Sequence, residues 1–383
     1  MKPSRRSDID SFLVMDMVEE AARIERAGRR VIHMEIGQPG TPAPEAARRA
    51  VARALKDGAL GYTPSLGLPE LRARIAALYA TRHGIDLDPA RVVVTSGASG
   101  AFVLAFSMLF DPGDRVALGA PGYPAYRQIL RAQGIEPVAI PTSAADRFQP
   151  RPDRIPEGIA GLILASPSNP AGTMLDRAAL ANLAEAAHAQ GAALISDEIY
   201  HGLDYDRPAV SALEVADDAI VVNSFSKYWS MTGWRVGWMV VPPAMTRVVE
   251  RLQQNLFICA PHVSQVAALA ALDAEDECRA TLAVHARNRA LMIEGLPKAG
   301  LGRFAPPDGA FYVYADVSDL CDDSLGLARD ILREVGVCTT SGRDFDAVEG
   351  HRWLRLSYCA ATADIEEGLD RLARFGRVRG WVS

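Results

Sequence analysis

The sequence predicts an α/β fold, a mostly parallel sheet sandwiched by helices, with a smaller α+β unit beside it. Three observations point there. Short β-rich runs alternate with helical patterns through the middle of the chain, several of those runs are apolar throughout, and the pattern changes after Pro306-Pro307-Asp308-Gly309. Strand–helix alternation marks parallel strands joined by crossovers, and a strand covered on both faces loses the polar half of its period.

The candidate strands of the large sheet are 91–95, 115–119, 161–165, 192–196, 219–223 and 234–241. Between them, residues 100–109 read as an apolar helix stopped by Asp111-Pro112-Gly113-Asp114. Asp176 suits the cap of a helix whose Leu180, Leu183, Ala184 and Ala187 share one face, and Gly191 suits its end. In the tail, 310–314 and 353–358 read as strands and 324–335 and 364–375 as helices. The first 40 or so residues, an amphipathic helix and then Gly37-Gln38-Pro39-Gly40, are expected to join this smaller unit. Ligands of such a sheet bind at the carboxyl ends of its strands.

A chain of 383 residues suits one large or two unequal domains. Hydrophobic residues at 49% and charged residues at 23% argue against extensive disorder. The 41 basic and 47 acidic residues leave a net charge of −6, which offers nothing to nucleic acid or an anionic membrane. No run approaches the roughly 20 apolar residues that span a bilayer, and residues 12–18 are too short and acid-interrupted for a signal peptide. The five cysteines are scattered without C-x-x-C spacing, as expected of buried thiols in a reducing cytoplasm, and predict no metal site.

Only four of the basic residues are lysines: Lys2, Lys56, Lys227 and Lys298. Lys227 closes Ser224-Phe225-Ser226-Lys227, directly after the candidate strand 219–223. A lysine at a strand end is ordinarily a solvated charge. Here Tyr228, Trp229, Met231 and Trp234 follow with no acidic partner, a setting for a desolvated amine acting as a Schiff-base nucleophile. Ser224-x-x-Lys227 also opens the serine β-lactamase pattern, but the chain has no Lys-Thr-Gly.

Other strand ends carry polar groups with two readings each. Thr95-Ser96-Gly97-Ala98-Ser99-Gly100 joins a strand to a helix, as a capped tight turn or as a phosphate seat; neither G-x-G-x-x-G nor a P-loop pattern is present. Asp197, in Ser196-Asp197-Glu198-Ile199-Tyr200, either caps a turn or holds a ring nitrogen protonated, with Tyr200 donating to an oxygen of the same ring. Asn169, bracketed by Pro167 and Pro170, is a rigid turn residue or a pre-set ligand contact. Arg355 alternates with Leu354 and Leu356, so it is either a surface ion-pair partner or a bidentate carboxylate grip.

The order and spacing of Asn169, Asp197 (28 residues on), Lys227 (30 further), Arg235 (8 further) and Arg355 (120 further) resemble the fold-type I pyridoxal-phosphate aminotransferases, class I/II, over nearly the whole chain. The resemblance implies a seven-stranded sheet in a large domain, 45–285. A small domain is then built from an N-terminal segment, 1–44, and a C-terminal part, 286–383. It implies pyridoxal 5′-phosphate as cofactor, Lys227 as the residue that forms the internal aldimine and shuttles a proton, and Asp197 against the pyridine nitrogen. Tyr200 and Asn169 would contact the ring oxygen, and Tyr123 would stack on the ring. Ala98, Ser99, Ser224, Ser226 and Arg235 would hold the phosphate, and Arg355 and the backbone at Gly37 the substrate carboxylate. Tyr62 would reach the phosphate of a neighbouring subunit, making a homodimer with shared sites.

The function implied is transfer of an amino group from an L-amino acid to an α-keto acid, 2-oxoglutarate or pyruvate, by a ping-pong cycle. A C–S β-lyase on the same scaffold is the alternative. A cofactor-binding regulator is disfavoured because the resemblance begins before residue 40 and no basic patch stands out. Tyr123 stands where the best-known aspartate enzymes have tryptophan, so strict aspartate preference is not supported.

Overall fold

A computed structural model of the chain describes residues 1–58 and 60–382. A short strand, β1 (Ile32–His33), precedes seven strands of one sheet: β2 (Val92–Thr95), β3 (Arg115–Ala120), β4 (Glu136–Pro141), β5 (Gly161–Ala165), β6 (Ala193–Asp197), β7 (Ile220–Ser224) and β8 (Gly237–Val240). Their spatial order is β2-β8-β7-β6-β5-β3-β4. The pairings of β7 with β6, β6 with β5, β5 with β3 and β3 with β4 are parallel; only β8 runs against its neighbours.

The all-apolar strands have the cause expected of them. Leu162 and Leu164 pack into one core layer and Ile163 into another; Val221 and Ile220 divide the same way. Both faces are covered, so Gly161–Leu164 of β5 and all of β7 are buried.

Six of the seven strands were read from the sequence, and the seventh, β4, was not. Its Glu136-Pro137-Val138-Ala139-Ile140-Pro141 lies at the sheet edge with only Ile140 buried, the one place where two prolines and polar exposure are compatible with pairing. The expected strand 234–241 begins three residues late, because Thr232–Trp234 is a helical turn and Arg235 adopts φ +51°. Gly191 ends its helix as expected: left-handed (φ +69°), its N–H donates to His188 O (2.9 Å) while Ala192 N donates to Ala187 O (3.0 Å), closing Arg177–His188 and turning the chain toward β6. Asp176 caps that helix through Ala179 N at 2.8 Å, as expected.

The tail forms β9 (Tyr312–Asp316), β10 (Val337–Cys338), β11 (Thr340–Ser341) and β12 (Trp353–Ser357). β9 starts two residues after the expected 310–314 because Ala310 is left-handed (φ +55°). β12 lies between β9 and β11, while β10 pairs in parallel with β1. The N-terminal segment is thus stitched to the tail rather than to the large sheet. The 24-residue helix Glu275–Lys298 spans the expected boundary at 285/286, and its Asn288 Nδ2 donates to Tyr358 O (3.0 Å) and Ala360 O (2.9 Å) beyond β12.

Beneath the turn after β7, Phe225 is fully buried with ring centroids 4.8 Å from Trp229 and 5.1 Å from Trp238. Trp238 Nε1 donates to the Tyr79 hydroxyl at 3.2 Å, anchoring this cluster to the helix Pro69–His83. Removing the ring leaves a cavity that rigid strands cannot collapse. Phe225→Ala is expected to cost about 3–5 kcal/mol, read as a lower denaturant midpoint by tryptophan fluorescence; an unshifted midpoint would contradict this packing.

Candidate active site

Because β3, β5, β6 and β7 are parallel, the segments that follow them emerge on one rim of the sheet. Antiparallel β8 enters at the same rim, its Gly237 registered with both Thr95 and Ser224. That rim and the loops of the smaller unit enclose a cavity of about 350 Å3. Its lining contains Gly37, Ala98, Ser99, Tyr123, Asn169, Asp197, Tyr200, Ser226, Lys227, Arg235 and Arg355. These residues, scattered over more than 300 positions, share one chamber.

Two ionisable groups set its electrostatics. The Lys227 amine donates to Gly37 O at 2.6 Å. Burial pushes it down to about 8, with the nearby Arg355 and Arg235 charges pressing the same way. Burial pushes the Asp197 carboxyl up to about 6, opposed by hydrogen bonds from the Tyr126 hydroxyl to Oδ2 and from Ile199 N to Oδ1 (3.1 Å). Strand alternation sends the neighbouring Glu198 the other way, where Ala212 N (2.7 Å) and Ser211 Oγ (3.0 Å) donate to it. Only the aspartate of the pair faces the cavity.

At one end of the chamber, the helix Gly97–Leu109 begins without a side-chain cap, since Ser96 makes none. Its free N–H groups and partial positive charge suit an anion. Arg235 stands beside it: a Cβ at Gly97 would overlap the guanidinium, so glycine is what lets the arginine approach. Arg235 Nη1 donates to Thr232 O at 3.1 Å and is not ion-paired among the described residues. Ser226 lines the cavity, while fully buried Ser224 lies behind it and donates to Ser226 Oγ at 2.9 Å.

Arg355 is buried at another wall. Its Nη1 donates to Asn169 Oδ1 at 3.0 Å, its Nη2 to Glu35 O, and its Nε has no partner. Its guanidinium carbon lies 4.5 Å from the Tyr312 ring centroid and 4.8 Å from that of Phe345. The Tyr200 and Tyr312 hydroxyls are hydrogen-bonded at 3.0 Å. A Cβ at Gly37 would overlap the Tyr312 hydroxyl, so this approach also requires glycine.

Of the residues named from the sequence, Tyr62 alone lies away from this cavity and its immediate support. It is 82% exposed beside a second hollow lined by Leu55, Leu60, Phe257 and Ile258. Sequence reasoning missed Tyr126, Tyr312, Asp344, Phe345 and the N-terminal Phe12, Val14 and Met15, all of which line the chamber. Tyr126 carried a usable signal: it lies one helical turn after Tyr123, on the same face. The others arrive from distant segments and carried none.

The donor set fits pyridoxal 5′-phosphate. An uncapped helix N-terminus with Arg235 and Ser226 suits a phosphate. A buried carboxylate lacking a full cationic partner suits a ring N–H⁺, and a desolvated amine that loses its proton readily suits an aldehyde.

The aminotransferase class I and II sequence profile matches residues 29–372. A valine–pyruvate aminotransferase of Mycobacterium tuberculosis is 46% identical over 374 residues, covering 96% of each chain. A Silicibacter pomeroyi protein whose structure is named only as an aminotransferase superposes with a TM-score of 0.95 at 60% identity, over 99% of this chain and 100% of that one. An aminotransferase structure from M. tuberculosis gives 0.96 at 45% identity, over 99% and 100%.

A lysine with its midpoint at about 8 has roughly one amine in ten uncharged at pH 7, against about one in three thousand at its ordinary value. Competitive labelling of the cofactor-free protein with trace acetic anhydride is expected to show Lys227 reactivity rising through a midpoint near pH 8. A midpoint above pH 10 would contradict the desolvated amine.

Proposed function

Since the chain belongs to the class I and II aminotransferases and uses pyridoxal 5′-phosphate to move an amino group from an amino acid to an α-keto acid, we propose that its donor is a branched aliphatic L-amino acid and its acceptor pyruvate. One observation carries this reading. The wall of the cavity formed by Phe12, Val14, Met15, Ile36 and Phe345 is apolar, and the only cations lining the chamber among the described residues are Lys227, Arg235 and Arg355. Each of those has another task below. A substrate side-chain carboxylate would lie against hydrocarbon and beside Asp344, unpaired, which is far costlier than burying a methyl group. The same argument favours pyruvate over 2-oxoglutarate. The name of the 46%-identical relative agrees with it.

When bound, the cofactor supplies an aldehyde carbon to receive the amino group and a ring over which the electrons of the broken Cα–H bond spread. The chain's own residues do the rest. Lys227 Nζ, uncharged in part because it is buried, would take the proton from the substrate Cα and deliver it to the cofactor carbon that bore the aldehyde. The Asp197 carboxylate holds a proton on the ring nitrogen, and Tyr126 and Ile199 N aim that carboxylate. Tyr200 and Asn169 bond the ring oxygen, and Tyr123 covers a ring face. Ala98, Ser99, Ser226 and Arg235 hold the phosphate, with Ser224 fixing Ser226. Arg355, with an unpartnered N–H, and the backbone at Gly37 take the α-carboxylate.

The working form in this proposal is a cytoplasmic homodimer. Tyr62 and Ile258 stand exposed at one hollow, with Leu55 beside them, an apolar surface suited to a second copy. From it Tyr62 reaches the partner's phosphate. The five cysteines are free thiols, in keeping with a reducing compartment, and no helix among the described residues is long and apolar enough to cross a membrane. The joining of 1–44 to the C-terminal part is supported by the pairing of β1 with β10, while the helix Glu275–Lys298 runs unbroken through the 285/286 boundary between the proposed domains 45–285 and 286–383.

The test is a donor screen with the holoenzyme. With pyruvate as acceptor, kcat/KM for valine should exceed that for aspartate by roughly a hundredfold or more; a preference for aspartate or glutamate would contradict the reading. Without keto acid, donor should be consumed once per site and then stop, whereas continued release of keto acid and ammonia would indicate the lyase.

A further inference from the structure

The helix Leu13–Arg26 starts at Phe12, which has no side-chain oxygen to satisfy the first-turn N–H groups. Other helices solve this locally, as Asp176 and Asp323 do. Here the partner comes from the far end of the chain. Asp344 accepts from Leu13 N through Oδ1 at 2.7 Å and from Val14 N through Oδ2 at 2.8 Å. Its side chain is buried and itself lines the cavity. A carboxylate at a helix N-terminus is favoured by both hydrogen bonds and dipole.

The same neighbourhood is held from a second side. Arg127, on the helix Pro124–Gln133, donates to Asp344 O and to Phe345 O (3.2 Å), fixing the loop that carries the carboxylate. From that helix Gln128 and Arg131 also hold Asp10, at 3.0 and 2.9 Å, just before the segment enters the wall. Phe12 then lies with its ring centroid 6.4 Å from that of Tyr123. Phe345, next in sequence to Asp344, flanks Arg355. One loop therefore touches both the arginine and the N-terminal segment that lines the cavity.

We propose that Asp344 is a positioning residue for substrate selection: by accepting the Leu13 and Val14 amide hydrogens it holds Phe12, Val14 and Met15 as the wall that contacts the substrate side chain. This rests on the aliphatic-donor reading above. The wall gains most from a donor with branched methyl groups to bury and least from alanine, whose single methyl scarcely reaches it. Asp344 touches no reacting atom and acts through the segment it tethers.

The test uses the holoenzyme with Asp344→Ala, Asp344→Asn and Phe12→Ala. Asp344→Ala is expected to raise amide hydrogen exchange at Leu13 and Val14 by roughly tenfold or more. It should lower kcat/KM for valine by about tenfold, mainly through KM, with alanine changed by less than about twofold. Asp344→Asn, which keeps the volume and one acceptor, should fall between, and it serves if the alanine variant does not fold. Phe12→Ala should reproduce the loss of valine preference with exchange at Leu13 and Val14 unchanged. Faster exchange with an unaltered valine-to-alanine ratio would overturn the proposal, as would unaltered exchange. The wild-type donor profile alone decides the aliphatic-donor reading; an enzyme indifferent to side-chain size would defeat that reading and the selection role together, whereas a valine-selective enzyme with insensitive variants would defeat only the role of Asp344.

Discussion

Burying the Lys227 amine and the Asp197 carboxyl on one sheet rim costs free energy that the remaining packing must offset. Neither group has a full ionic partner: the amine donates to a backbone carbonyl, and the carboxylate accepts from a phenol and an amide. Both are therefore displaced toward their neutral forms, the amine to about 8 and the carboxyl to about 6. A surface lysine and a surface aspartate would be inert here. In the proposed function, the same burial that destabilises them suits them to an aldehyde and a ring nitrogen.

That burial depends on how the sheet is laid out. Parallel β5, β6 and β7 deliver Asn169, Asp197 and Lys227 to adjacent positions of one edge, and the reversed β8 returns Arg235 to it. The smaller unit closes the chamber from the other side with Gly37, Tyr312 and Arg355, and the helix Glu275–Lys298 joins the two. Glycine recurs where surfaces meet most closely: a Cβ at Gly37 would collide with Tyr312 and one at Gly97 with Arg235. The apolar wall of the chamber hangs on an N-terminal segment held by side chains from elsewhere.

Much of this was legible in the sequence, for a physical reason. Groups at the ends of buried parallel strands announce themselves through local pattern: an apolar run, then a polar turn, as in Ile220–Ser224 followed by Ser226 and Lys227. The edge strand β4 was not legible, because an edge tolerates the prolines and half-exposure that otherwise argue against a strand. The contacts that aim the site were also hidden. Tyr126 reaches Asp197 across 71 residues, Tyr200 meets Tyr312 across 112, and Asp344 meets Leu13 across 331. No local periodicity encodes such pairs; they exist only once the fold has closed.

The proposed chemistry requires one covalent partner for the cofactor. Borohydride reduction of the pyridoxal-phosphate-loaded protein, followed by peptide mapping, asks for it directly. One pyridoxyl group per chain is expected, on Lys227, with the exposed Lys2, Lys56 and Lys298 unlabelled. Label on any of those three instead, or a chain that takes up no cofactor at all, would contradict it.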